Sequence, residues 1–130
     1  ESKKLYLELQ STVDQQTKPL NEADLAKMDQ QIQTVIKKLI ESDWFTEEDI
    51  TNLSSDYTST KPFIAESILK SNAELHPKSP IAFLKYGDLL EQNGKKDTAT
   101  AVLKKAVELA TEIKAPYLEG IKNRYEKILK

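Results

Sequence analysis

A chain of 130 residues with 38% hydrophobic and 31% charged residues fits a single globular domain spanning residues 1–130. Its 19 basic and 21 acidic residues give a net charge of −2, and Arg124 is its only arginine, which argues against nucleic acid as the main partner. The absence of cysteine excludes disulfides, thiolate zinc sites and cysteine nucleophiles, and no apolar run approaches the roughly 18 residues of a membrane span. A total of only three glycines favours an all-α fold, because the turns of a β protein need more.

The first predicted element lies in residues 1–19, before a break around Pro19. Residues 5–9 read LYLEL, a pattern that fits either a short helix or a strand. A single strand has no evident partner here, so we favour a helix, with the strand left open. The chain begins at Glu1 without a methionine, from which we expect trimming or processing ahead of this residue.

Residues 22–41 are predicted to form a long amphipathic helix. Asn21 is a suitable N-cap, and acidic residues follow in the first turn. Apolar side chains recur at three- and four-residue spacing, so one stripe should be buried while the face around Asp29 is polar. The stripe consists of Leu25, Met28, Ile32, Val35, Ile36, Leu39 and Ile40.

A shorter helix is predicted from residue 47 to residue 57, after the aromatic pair Trp44-Phe45. Thr46 and Asp49 have the spacing of a capping box, and Phe45 is placed to pack on Ile50 as a hydrophobic staple. The serine, threonine and asparagine content is unfavourable for an isolated helix, so this segment should depend on tertiary packing.

Four more helices are predicted in the rest of the chain. They span residues 63–75, 80–93, 96–112 and 116–130. His76-Pro77 ends the first of them, Gly94 marks the turn between the second and third, and Pro116 opens the fourth. The last helix has a polar outer face, as a helix that closes the end of a helical stack should have.

Residues 79–116 carry a pattern that resembles a tetratricopeptide repeat, a helix–turn–helix unit of about 34 residues. The matching positions are Phe83, Tyr86, Gly87, Leu90, Gly94, Ala99, Leu103 and Ala106. The late proline of the family is missing, and Thr111 stands in its place. The resemblance implies an α–α hairpin that serves as a binding scaffold, and it implies no particular ligand.

Moving the frame back by about 34 residues gives a degenerate second unit. Ala65 and Pro77 fit the pattern, while Asn72 replaces an alanine and Leu53 stands where glycine is expected. The resemblance therefore implies two repeat units between flanking and capping helices. The implied division of the chain is 1–45, 46–79, 80–113 and 116–130.

A looser similarity links residues 68–83, ILKSNAELHPKSPIAF, to helical repeat tails of some secreted bacterial hydrolases. It implies a periplasmic or secreted bacterial protein, with a cytoplasmic location left open. It also implies an alternative function, that of an accessory or dimerising C-terminal tail of a larger enzyme.

Residues suited to catalysis or metal binding have a simpler structural explanation in each case. His76 is the only histidine, and the chain has no cysteine to share a metal with it. The acidic run 47–49 fits the positive end of a helix dipole. The lysine pairs at 95–96 and 104–105 fit solvated helix faces. We therefore expect no catalytic residues, no metal and no cofactor.

The resemblance implies that the first helix of each repeat unit lines a concave binding face. The implied partner-binding residues are Ile81, Leu84, Asp88 and Glu91, with Tyr57, Ile50 and Ser54 from the degenerate unit. Trp44 is an aromatic anchor for a partner or, alternatively, part of a packed junction. An apolar groove with an acidic rim suits a peptide or protein with basic and apolar residues.

We therefore expect a non-catalytic protein–protein interaction module. Two alternatives stay open at this stage. Residues 22–41 would fill the groove in one of them, which would close it to a partner. In the other, the chain is a self-associating structural domain and a homo-oligomer.

Overall fold

The computed structural model describes residues 22–41 and 46–129, together with Lys4, Leu7 and Ser11. The segments 22–41 and 46–129 contain six helices and no strand, so the predicted all-α class is confirmed. The helices are α1 Glu22–Glu41, α2 Glu47–Ser55, α3 Pro62–Leu75, α4 Pro80–Gln92, α5 Lys96–Glu112 and α6 Leu118–Leu129. Lys4 and Leu7 are also helical, and the other residues of the segment 5–9, for which a helix is favoured, lie outside the described residues.

The chain divides into two compact units, residues 1–72 and 73–130. The first holds α1, α2 and most of α3, and the second holds α4, α5 and α6. Each unit is described by itself. Within the described segments, no helix is long and apolar enough to cross a bilayer.

The apolar stripe of α1 is buried or half-buried, as predicted, at the positions whose side chains the structure describes, and the Leu25 side chain lies outside them. Ile32, Ile36 and Leu39 have no exposed surface, and Met28, Val35 and Ile40 are half-buried. On the other face, Asp29 accepts a hydrogen bond from the Ser67 hydroxyl and pairs with the Lys70 ammonium at 3.5 Å. The face predicted to be polar therefore also connects α1 to α3.

The predicted capping box begins α2. The Thr46 hydroxyl accepts a hydrogen bond from the Asp49 amide at 3.1 Å, and the Thr46 amide donates to the Asp49 carboxylate at 2.9 Å. The helix ends at Ser55 rather than residue 57, because the chain there passes into turns. Local hydroxyls compete for the helical carbonyls, as where the Ser54 hydroxyl donates to the Thr51 carbonyl at 2.7 Å. Phe45, Asn21 and the staple and cap predicted for them lie outside the described residues.

The turn between α4 and α5 is closed by a glycine, as predicted. Gly94 has φ +81°, in the left-handed region that a residue without Cβ adopts at little cost. Its amide donates to the Glu91 carbonyl at 3.0 Å, and the Lys95 amide donates to the Leu90 carbonyl at 2.9 Å. These two bonds are those of a Schellman motif, which satisfies carbonyls left open at the end of α4.

The helices α4 and α5 come into close contact at Gly87. A Cβ atom built at Gly87 would lie 2.7 Å from Cδ2 and 2.8 Å from Cγ of Leu103. Leu103 is fully buried, so it has little room to move away. Glycine at this position is what lets the two helices approach.

The turn between α5 and α6 repeats the same motif with a different residue. Lys114 has φ +53°, its amide donates to the Thr111 carbonyl at 3.2 Å, and the Ala115 amide donates to the Ala110 carbonyl at 2.9 Å. Lysine thus occupies the left-handed position that glycine fills in the preceding turn.

Helix α6 packs against α5 through two apolar clusters. One consists of Leu90, Ala99, Leu103 and Ile128, and the other of Ala106, Ala110, Ala115 and Ile121. The alanines of α5 leave space that Ile121 and Ile128 of α6 fill, and both isoleucines are buried. The amphipathic pattern of the last helix therefore serves the core of the second unit.

Candidate interaction surface on α4

Two carboxylates stand one turn apart on α4, at Asp88 and Glu91. The helix that carries them is capped by Ser79, whose hydroxyl accepts a hydrogen bond from the Ala82 amide at 3.2 Å, and Pro80 lies in its first turn. Three-residue spacing places both side chains on the same face. These are the two residues predicted to form the acidic rim of a binding face, and that role stays a prediction.

The guanidinium of Arg124 lies against this acidic pair. Its Nε donates to Oδ1 of Asp88 at 3.0 Å, and its Nη2 donates to the same oxygen at 2.6 Å and to Oε1 of Glu91 at 2.8 Å. The exposed fraction of the side chain is 33% for Arg124, 30% for Asp88 and 36% for Glu91. One arginine of α6 thus binds both carboxylates of α4 through hydrogen bonds that its planar fork is suited to make.

The contact raises the pKa of Arg124, mainly through the hydrogen bond to Glu91 and then through the one to Asp88. A pKa raised on folding contributes stability below the pKa of the unfolded chain and loses it only as the pH passes the folded value. For an arginine that range is strongly alkaline. Titration of Arg124 therefore does not change the strength of the contact at pH values near neutral.

The two apolar residues predicted for this surface differ in what they contact. Leu84 is half-buried and packs against both apolar clusters of the second unit. Ile81 is half-buried and belongs to neither cluster. Ile81, Asp88 and Glu91 therefore keep exposed surface on α4, while Leu84 serves partly to hold the helices together.

The residues predicted from the degenerate unit are placed differently. Tyr57 is 6% exposed, Ser54 is 2% exposed and Ile50 has no exposed surface. The expectation that they line an exposed face is not met, because each lies in the interior. Trp44, the predicted aromatic anchor, lies outside the described residues.

The residues that were considered for catalysis or metal binding lie in different parts of the chain. Asp49 is used by the capping box of α2, and the lysines at 95–96 and 104–105 are exposed. His76 lines a shallow depression of about 330 Å³ together with Pro77, Lys78 and Ser79, which are consecutive in the chain. Within the described part of the chain, no three His, Cys, Asp or Glu residues are grouped as a metal site would need.

Arg124 is the site residue that the sequence reasoning did not assign. It lies 36 positions after Asp88, and nothing in the periodicity of α6 marks it as a contact to α4. The one available signal was that Arg124 is the only arginine, since the other basic side chains on the helices are lysines. A single arginine in a chain that also has two carboxylates at helical spacing suggests a contact in which the guanidinium binds both carboxylates.

The chain was compared with known proteins in three ways. No protein-family model, no curated protein and no solved structure matches it.

Proposed function

We propose that this chain is a non-catalytic protein-interaction module with a tetratricopeptide-like hairpin, α4–α5, as its scaffold and α4 as its binding helix. The observation that carries the proposal is the guanidinium held by Asp88 and Glu91. It identifies, on the predicted binding helix, an acidic pair with the geometry to bind a basic group.

The close contact between Gly87 and Leu103 supports the repeat-like part of the proposal. The resemblance assigns a small residue to position 87 and a large one to position 103. The two residues lie opposite each other across the α4–α5 interface. A small residue that faces a large one in this way sets the distance between the two helices. A rigid hairpin of this kind holds the exposed side chains of α4 in fixed relative positions.

The chemistry of the α4 surface limits the partners that suit it. Asp88 and Glu91 accept charge-assisted hydrogen bonds, which favour arginine over lysine because only arginine offers a planar fork of donors. Ile81 adds apolar surface on the same helix. A peptide or protein segment with an arginine next to apolar residues matches this combination.

Helix α6 competes with such a partner, because Arg124 already occupies the acidic pair. The three side chains are each about a third exposed, so their contacts are open to water and to screening by salt. A partner arginine therefore exchanges for Arg124 and does not meet a bare acidic surface. Removing Arg124 should make the pair more accessible.

The test starts from a random peptide library displayed on phage and selected against the complete chain. We expect the selected peptides to be enriched in arginine beside apolar residues. Binding of those peptides is then measured with the Asp88→Lys, Glu91→Lys chain, where affinity should fall at least about tenfold, the effect of a lost charged hydrogen bond. With the Arg124→Gln chain, affinity should rise, since the internal competitor is gone.

The matched control is a chain with Glu108→Lys and Glu112→Lys, which makes the same charge change at two exposed positions of α5. Its peptide affinity should stay close to that of the unchanged chain. Equal affinity of the selected peptides for all four chains would show that the α4 surface is not the binding site.

A second candidate function is that of an accessory or dimerising tail of a larger bacterial enzyme, such as a secreted hydrolase. Two large apolar side chains favour it, because Ile113 and Tyr117 are 55% and 38% exposed near the turn before α6. Apolar surface of this kind is typical of contacts with another protein. In this case the selected peptides would bind weakly, and the isolated chain would associate.

A further inference from the structure

The turn from α5 to α6 is closed at an energetic cost. Lys114 adopts φ +53°, which brings the Cβ of an L-residue close to its own backbone. The equivalent position at the end of α4 is Gly94, which has no Cβ. Since the two turns have the same hydrogen bonds, the lysine makes the second closed turn the less favourable one.

Exposed apolar side chains flank the same turn. Among the described residues, the large apolar side chains that are exposed are Leu7, Ile113, Tyr117 and Leu129. Ile113 precedes Lys114 directly and Tyr117 follows it by three positions. In the closed turn these apolar side chains remain in water. In the open form they offer an apolar surface to another chain.

The contacts that α6 makes through Ile121, Ile128 and Arg124 lie outside the turn, although Ala115 of the turn also belongs to the cluster of Ile121. Ile121 and Ile128 fill spaces beside the alanines of α5, and Arg124 binds the carboxylates of α4. An identical helix from a second copy of the chain offers the same side chains in the same order. It can therefore make every one of these contacts.

We propose that α6 exchanges between two copies of this chain, so that the α6 of each copy packs on the α4 and α5 of the other. Residues 113–117 open, and Lys114 leaves the left-handed region. Arg124 of each copy binds Asp88 and Glu91 of the other, and the apolar side chains of the two open segments meet. The inference goes beyond the proposed function, because it needs no second kind of protein.

The sequence of the connecting segment favours an extended open form. Pro116 prevents α5 from continuing into α6 as one helix, because its ring would clash with the preceding turn. The residue before it, Ala115, prefers an extended backbone. The five residues between Glu112 and Leu118 then span up to roughly 16 Å, enough for two chains to cross.

Two charge variants of the complete chain test the exchange. One carries Asp88→Lys and Glu91→Lys, and the other carries Arg124→Glu. Within either variant chain, the side chain at position 124 of α6 faces like charges on α4. When the two variants exchange their α6 helices, each α6 faces opposite charges on the α4 of the other chain. After the chains are mixed in urea and refolded, native mass spectrometry should show a mixed dimer in excess of each homodimer by at least about tenfold. Monomers only, or dimers formed at random, would overturn the proposal.

Two substitutions at the turn leave all contacts of α6 unchanged and keep the proposal testable if the charge variants do not fold. Lys114→Pro forbids a positive φ, so the dimer fraction measured by light scattering should rise about tenfold. Lys114→Gly favours the closed turn, and the dimer fraction should fall about fivefold. A dimer fraction that is the same in both variants and in the unchanged chain would refute the exchange. Neither readout uses a peptide, so this result is independent of the binding test.

Discussion

The two helical hairpins of the second unit share α5 but are held together by different means. In α4–α5, the turn is closed by Gly94, and the helices interlock where Gly87 meets Leu103. In α5–α6, the turn is closed by Lys114, and alanines of α5 face isoleucines of α6. The hydrogen bonds of the two turns are the same, so the hairpins differ in the residues that close the turns and fill the interfaces.

The two hairpins differ in how strictly their residues fix the packing of the helices. A steric contact that only glycine permits fixes the spacing of α4 and α5, and a glycine turn adds no strain. The second hairpin closes against a strained residue, and α6 depends partly on ionic contacts that salt weakens. The first hairpin is therefore the more tightly fixed of the two, while α6 is the element for which we propose exchange and displacement.

The largest expected effect comes from filling the close contact in the first hairpin. Gly87→Val places new atoms where a Cβ alone would lie 2.7 Å from Leu103. Overpacking of a buried contact should lower the free energy of unfolding by about 2–3 kcal/mol. Urea unfolding followed by circular dichroism measures it. An unfolding curve like that of the unchanged chain would mean that α4 and α5 separate easily and are not interlocked.

The glycine turn is the next place to break the first hairpin. Gly94→Ala puts a Cβ on a residue at φ +81°, although no atom beyond its chain neighbours lies within 4 Å of that Cβ. The loss should be about 1 to 1.5 kcal/mol and should come from the backbone alone. Gly94→Asn is the matched control, because asparagine tolerates the left-handed region and should lose less. Equal losses in the two variants would contradict a backbone origin.

Removal of the arginine weakens the second hairpin without changing its core. Arg124→Gln should reduce stability by about 1 kcal/mol, a value kept small because the three side chains are a third exposed. Amide hydrogen exchange should become faster in α6 and stay unchanged in α1. In the unchanged chain, molar salt should have a similar local effect. Faster exchange in every helix would instead indicate that Arg124 supports the whole fold.

The smallest expected effect is a gain of stability at the second turn. Lys114→Gly removes the Cβ from a residue at φ +53° and should stabilise the chain by about 0.5 kcal/mol. The melting temperature from calorimetry measures it, with Lys122→Gly in the middle of α6 as the control that should destabilise. A lower melting temperature for the turn variant would show that the lysine side chain itself stabilises this turn.

The helices were predictable because their signals are local. The stripe of Ile32, Ile36 and Leu39 and the cap at Thr46 depend on residues close together in sequence, and α1 and α5 have the predicted bounds. The early end of α2 was not predicted, because hydroxyls of its last turn bond to helical carbonyls in a way that composition does not locate.

The candidate site was predictable only in part, because its contacts are long-range. Helical spacing placed Asp88 and Glu91 on one face, but their pairing with Arg124 depends on how α6 packs against α5. The burial of Tyr57 likewise depends on tertiary packing, which the repeat pattern of a degenerate unit does not specify. Residue spacing predicted a binding face, and packing decided which of its residues remain exposed.

Gly120 offers a practical consequence of the packing of α6. Apart from its chain neighbours and the backbone of α6 itself, no atom lies within 4 Å of the position that its Cβ would take, and the chain contains no cysteine of its own. A Gly120→Cys chain would therefore accept a single thiol-reactive dye on α6 while leaving the apolar clusters intact. Energy transfer between donor- and acceptor-labelled copies would then follow the meeting of two chains in real time, and the anisotropy of one dye would report how freely the last helix tumbles.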